Sequence, residues 1–108
     1  MPVYNKLVRD FIPEIIEQDG KICVTYVLNE SAYIAEVNRK MHEELAEYEE
    51  ANTAEESVEE LADLLELVYA AAQHHGVTIE ELETARKEKA EKCGGFTERI
   101  YLVEVQDD

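Results

Sequence analysis

Two stretches with helical periodicity each place a carboxylate inside an apolar face. Few folds tolerate that, so this placement constrains the chain more than any other feature of it. Take the stretch that Asn29 or Ser31 can cap and that runs to about Glu50, and set Glu44 at zero on a wheel of about 100° per residue. Val37, Tyr48, Met41, Ile34 and Leu45 fall between roughly 20° and 100°, and Tyr33 near 340°. Glu44 therefore lies inside the apolar arc. Glu47 lies at its edge near about 300°, and Glu43 further out near about 260°. In the next stretch, with Glu60 at zero, Leu64, Val68, Leu61, Ala72 and Leu65 fall between roughly 40° and 140°. Ala71 and Leu67 bracket zero, and Asp63 lies at the edge near about 300°. Both helices thus carry an acidic pair three residues apart, in the same angular relation to the core.

A buried carboxylate is costly unless it is paired, protonated or bound to a metal. If the two helices pack antiparallel through these faces, four carboxylates converge, and a divalent cation between them would relieve their repulsion. All-oxygen ligation suits Mg²⁺ or Mn²⁺ better than zinc, which recruits His or Cys. The alternative is that Glu44 and Glu60 pair with Arg39, Lys40 or residues of the fourth helix. Di-iron bundles use Glu-x-x-His. None of His42, His74 and His75 stands three residues after an inward glutamate, so all three are expected at the surface. Glu49, Glu50, Glu55, Glu56, Glu80, Glu81 and Glu83 belong to solvated faces.

Punctuation along the chain is sparse. Pro13 opens a short helix to Gln18, which Gly20 stops. Lys21 to Leu28 is rich in β-branched and aromatic residues and reads as a strand. Thr53-Ala-Glu-Glu56 is a capping box that starts the third helix, which ends before Gly76. Thr78-Ile-Glu-Glu81 is a second box, starting a fourth helix that Gly94-Gly95 terminates. Arg99 to Val105 alternates and reads as a second strand. Two strands alone are marginal in water. They are expected to pair with each other, or across a dimer, against the helices. The expected architecture is mainly α, a bundle of long antiparallel helices with a small two-stranded β element. The 108 residues fit one domain.

Composition narrows the partners. Lys plus Arg number 10 and Asp plus Glu 26, a net charge of −16. Nucleic acid and anionic membranes are excluded as partners by repulsion. Disorder is excluded because 45% of the residues are hydrophobic and fall in periodic runs. No apolar run is long enough to span a membrane. The first residues carry Lys6, Arg9 and Asp10 with no apolar stretch behind them, unlike a signal peptide. Cys23 and Cys93 form no disulfide framework and are expected as free thiols of a cytoplasmic protein.

Glu43-Glu44-Leu45-Ala46-Glu47 followed by Glu60-Leu61-Ala62-Asp63 resembles the EExxE…ExxD signature of the all-α nucleotide pyrophosphohydrolases. These include the MazG-like enzymes, the all-α dUTPases and phosphoribosyl-ATP pyrophosphohydrolase. Tyr4-Asn5-Lys6-Leu7-Val8-Arg9-Asp10 with Ile12-Pro13-Glu14-Ile15-Ile16, and Gly94-Gly95-Phe96 before the last strand, resemble a small MazG-like subgroup. The resemblance implies hydrolysis of a nucleoside triphosphate, standard or not, to the monophosphate and pyrophosphate. It implies Mg²⁺ held by Glu44, Glu47, Glu60 and Asp63, with Glu43 or Glu47 accepting the attacking water's proton. It also implies sites built on homodimers or homotetramers. Lys6 and Arg9, in the opening motif, and Lys89, Lys92 and Arg99 are candidates for the phosphates; each has the alternative of pairing with acidic neighbours or supporting the fold. Phe11 stands where the subgroup usually has a basic residue, altering a substrate contact or enlarging the core. Tyr4, Tyr33 and Phe96 are candidates to stack a base. Two other functions remain open: phosphoribosyl-ATP hydrolysis in histidine biosynthesis, and a non-catalytic helical module that binds a partner through its acidic surface.

Overall fold

The computed structural model describes residues 2–107. It contains four helices: α1 (Ile12–Gln18), α2 (Glu30–Glu50), α3 (Ala54–His74) and α4 (Ile79–Cys93). Each of the last three starts on a side chain that takes up an orphan N–H of the first turn. Asn29 accepts from the Ala32 amide at 2.9 Å and Thr53 from the Glu56 amide at 3.1 Å. At α4 the box is reciprocal: Thr78 accepts from the Glu81 amide, and the Glu81 carboxylate accepts from the Thr78 amide. At α3 the box is shifted by one residue, because the Glu56 carboxylate accepts from the amide of Asn52.

Two helix ends share one device. After α1, the amides of Gly20 and Lys21 donate to the carbonyls of Glu17 and Ile16; after α3, those of Gly76 and Val77 donate to Gln73 and Ala72. This closure places the residue after the cap in the left-handed region, and Gly20 (φ +79°) and Gly76 (φ +82°) adopt it without Cβ strain.

A three-residue connection, Ala51–Thr53, folds α3 back on α2. These two 21-residue helices form the main packing interface, and α4 makes a much smaller contact with α3. Val37 is fully buried in that interface. Leu64, Leu67, Val68 and Ala71 of α3 are half-buried with Ile34 and Met41 of α2, as the apolar arcs require. Among the described residues, Val37 and Glu44 alone are classed as buried, so the core of one chain is thin.

The expected β element is corrected. Among the described residues there is no strand: Lys21–Leu28 and Arg99–Val105 are without regular structure. The physical reason is that a strand is defined by its partner, and neither segment meets one within the chain. Arg99 itself departs from extended geometry, with φ at 58°. Phe11 precedes α1 and stays exposed, so it does not enlarge the core. Cys23 is half-buried, with Sγ 3.8 Å from the Pro13 carbonyl; Cys93 is exposed, and both thiols are free. No helix among the described residues is long and apolar enough to cross a membrane.

Val37→Ala should lower stability by roughly 1–3 kcal/mol, since a fully buried side chain loses both its transfer energy and its contacts. Urea unfolding measures this. A loss below about 0.5 kcal/mol, the range of ordinary surface changes, would mean that the α2–α3 interface does not pack around Val37.

Candidate functional site

Helical spacing brings Glu44 and Glu47 of α2 against Glu60 of α3. One carboxylate oxygen from each lies within 4.8 Å of the others. Glu44 is buried at 8% exposure, Glu60 is half-buried, and Glu47 stands at the solvent edge. Glu44 and Val37 are seven residues apart and so share the inner face of α2.

Glu44 and Glu60 each keep one Oε2 atom out of solvent with no hydrogen-bond partner. Arg39, one proposed neutraliser, is engaged elsewhere: its Nη2 donates to Glu36 Oε1 at 2.6 Å and to the Asn5 carbonyl at 3.2 Å. Burial and crowding therefore act on the protons directly. Loss of solvent pushes the Glu44 carboxyl up to about 7, with the adjacent Glu60, Glu47 and Asp63 carboxylates adding to the effect. The Glu60 carboxyl is also raised, chiefly by Glu47 beside it. A divalent cation fits this donor set: the oxygens are hard, anionic, close together, and two of them are unpartnered.

Asp63 stands apart from the three glutamates' close contact and has a partner. Arg9 Nη2 donates to its Oδ1 at 2.6 Å, bridging 54 residues of sequence. Both side chains are substantially exposed, so the pair adds about 0–1 kcal/mol. Its main consequence is position. Together with the Arg39–Asn5 contact, it straps residues 5–9 across α2 and α3 beside the carboxylates. Periodicity could not have found this contact, because Arg9 lies in no periodic segment; the resemblance of the opening motif was the only signal.

The other predicted residues are more scattered. Glu43 is exposed on α2, outside the close cluster. Lys6 is exposed, with Nζ 5.6 Å from the Tyr4 ring centroid. Lys89 and Lys92 lie exposed on α4 and Arg99 lies exposed beyond it; among the described residues none of the three forms an ion pair. Tyr33 is half-buried beside His74 at 6.3 Å between ring centroids, while Tyr4 and Phe96 are exposed.

A helical hairpin that presses carboxylates from both arms into one cluster defines an all-α protein with an acidic candidate metal centre. The chain belongs to the phosphoribosyl-ATP pyrophosphohydrolase family, whose profile matches residues 8–90. That span contains Glu43, Glu44, Glu47, Glu60, Asp63, Arg9 and Lys89. An uncharacterized protein of Mycolicibacterium smegmatis is 39% identical over 54 residues, which cover 50% of this chain and 55% of that protein. The chain thus spans about half the length of the curated relative it matches. No solved structure matches the chain.

The raised Glu44 carboxyl has a stability consequence. In the folded protein it holds its proton to about pH 7, whereas the unfolded value is 4.5. Between those limits the folded state binds more protons, so this contribution is present at acid pH and is lost as pH rises through 7. With EDTA present, the melting temperature should fall from pH 5 to pH 8, and Glu44→Gln should make that fall shallower. Equal slopes in the two proteins would contradict the burial of this carboxyl.

Proposed function

We propose that this chain is a Mg²⁺-dependent nucleotide pyrophosphohydrolase, cleaving a nucleoside triphosphate to the monophosphate and pyrophosphate. Mn²⁺ is the alternative ion. The observation that carries the reading is the convergence of Glu44, Glu47 and Glu60, with two buried oxygens left without partners. Glu44, Glu47, Glu60 and Asp63 would hold the ion, Asp63 giving up or sharing its contact with Arg9. The ion, when bound, neutralises charge developing on the phosphates and makes an attacking water more acidic.

The chain's own residues divide the remaining work. Glu47, at the solvent edge of the cluster, or Glu43 beside it, takes the water's proton. Arg9, strapped across the hairpin at Asp63, is within the site and can turn its guanidinium to a phosphate oxygen. Lys6, Lys89, Lys92 and Arg99 supply further cations for the phosphate end. Five exposed cations suffice there despite the charge of −16, because the bound ion inverts the local field.

The family match supports phosphoribosyl-ATP equally as substrate, with the histidine pathway as its setting. A non-catalytic acidic module is less well supported. It requires carboxylates satisfied by arginines, and among the described residues Glu44 and Glu60 have no such partner.

The test is a pyrophosphate-release assay on common and damaged nucleoside triphosphates and on phosphoribosyl-ATP, with Mg²⁺ and with EDTA. Turnover should require the metal. Glu60→Gln should lower it about 100-fold or more, the scale of losing about 2.7 kcal/mol of transition-state stabilisation. Mg²⁺ at about 100 times its dissociation constant should add about 2.7 kcal/mol of stability to the native protein, and less to Glu60→Gln. No turnover on any substrate, with no stabilisation by Mg²⁺, would overturn the proposal in favour of the acidic module.

A further inference from the structure

Two acids hold matching places in the sequence and different places in the structure. Glu47 follows Glu44 by three residues and Asp63 follows Glu60 by three, so each shares a helix face with its neighbour. Glu47 joins the close cluster with Glu44 and Glu60, and Asp63 does not. Asp63 is still within electrostatic reach. Burial chiefly raises the Glu44 carboxyl and Glu47 chiefly raises that of Glu60, but the charge of Asp63 adds to both. What separates the two acids is a partner. Among the described residues Glu47 has no ion pair, whereas Asp63 Oδ1 accepts from Arg9 Nη2 at 2.6 Å.

Arg9 comes from outside the hairpin. It lies three residues before α1, and among the described residues α1 makes no close helix–helix contact. Two hydrogen bonds tie residues 2–23 to the hairpin: Arg9 donates to Asp63 of α3, and Arg39 of α2 donates to the Asn5 carbonyl at 3.2 Å. Asn5 stands in the left-handed region, with φ at +45°, which asparagine tolerates. The Arg9 and Asp63 side chains are both substantially exposed, so water and ions reach the pair.

A guanidinium and a divalent cation make the same demand on a carboxylate: both take its lone pairs, and both are positive. At one oxygen they exclude each other, and across one carboxylate they repel. Among the four candidate ligands Asp63 is the one that can be exchanged between them, because an exposed ion pair is weak. At Glu44 and Glu60 no cation of the chain competes, since their buried oxygens have no partner.

We propose that Arg9 is a built-in competitor for Asp63: it keeps this carboxylate out of the cluster, and a divalent ion gains Asp63 only by displacing the guanidinium. The inference rests on the metal centre proposed above. Loading the ion then removes one of the two ties on the opening segment and frees a cation next to the site. The opening segment thereby responds to whether the centre is filled.

Calorimetric titration with Mg²⁺ tests this on four proteins: the native chain, Arg9→Gln, Asp63→Asn and the double variant. Arg9→Gln should bind Mg²⁺ about two- to fivefold more tightly than the native chain, the scale of one exposed ion pair. In the Asp63→Asn background the same substitution should bring no gain, because the contested ligand is gone. By reciprocity, Mg²⁺ must weaken the Arg9–Asp63 contact by the same factor. In nuclear magnetic resonance spectra of the native protein, the Arg9 guanidinium signal is identified by its loss in Arg9→Gln. On adding Mg²⁺ it should move toward its position in Asp63→Asn. Equal or weaker Mg²⁺ binding by Arg9→Gln, a gain that persists undiminished without Asp63, or an Arg9 signal that stays in place while Mg²⁺ binds would each overturn the proposal and leave the metal centre standing. Mg²⁺ binding by none of the four proteins would overturn both.

Discussion

The confrontation of Glu44 and Glu60 across the α2–α3 interface is the constraint on which the rest of this molecule depends. Packing the two apolar arcs together forces it, because each carboxylate sits within the arc that must be buried. The same contact that encloses Val37 therefore strips water from Glu44. Among the described residues, one apolar side chain, Val37, and one acid, Glu44, are the buried side chains of the hairpin. Apolar packing favours closure, and desolvated like charges oppose it. A proton on Glu44 is one resolution, and the rise of its carboxyl to about 7 expresses it. A bound divalent cation is the other, and it would remove the opposition without spending a proton.

The cations of the chain leave that conflict in place. Arg39 pairs with Glu36, Arg86 with Glu83 and Arg9 with Asp63, and each pair is substantially exposed on its basic side. None reaches the buried oxygens. Pairs of this kind add little stability. What Arg9 and Arg39 do accomplish is to tie the opening segment to both arms of the hairpin, Arg9 to Asp63 of α3 and Asn5 to Arg39 of α2.

The hairpin carries an acidic cluster on its inner face and leaves two apolar segments, 22–28 and 100–103, largely exposed. Its helices are complete because a helix satisfies its own main chain. Its extended segments are incomplete because a strand cannot. This difference explains why the four helices carry the structure of the isolated chain while residues 22–28 and 100–105 stay without order in their main-chain bonding.

What the sequence alone determined is what short-range physics governs. Helix positions followed from caps and glycines, since Asn29, Thr53 and Thr78 act within three residues and Gly20 and Gly76 within five. The inward placement of Glu44 and Glu60 followed from the helical period, which fixes a residue's angle before any packing is known. Strand propensity at Lys21–Leu28 was read correctly as composition and wrongly as structure, because pairing is a property of two segments. The tertiary structure alone decided three things: that Glu44, Glu47 and Glu60 meet closely while Asp63 is drawn to Arg9, that two buried oxygens remain without partners, and that residues 22–28 and 100–103 stay largely exposed. Each depends on groups distant in sequence approaching within a few ångströms. No local pattern records such distances; they are set by how α3 folds back on α2.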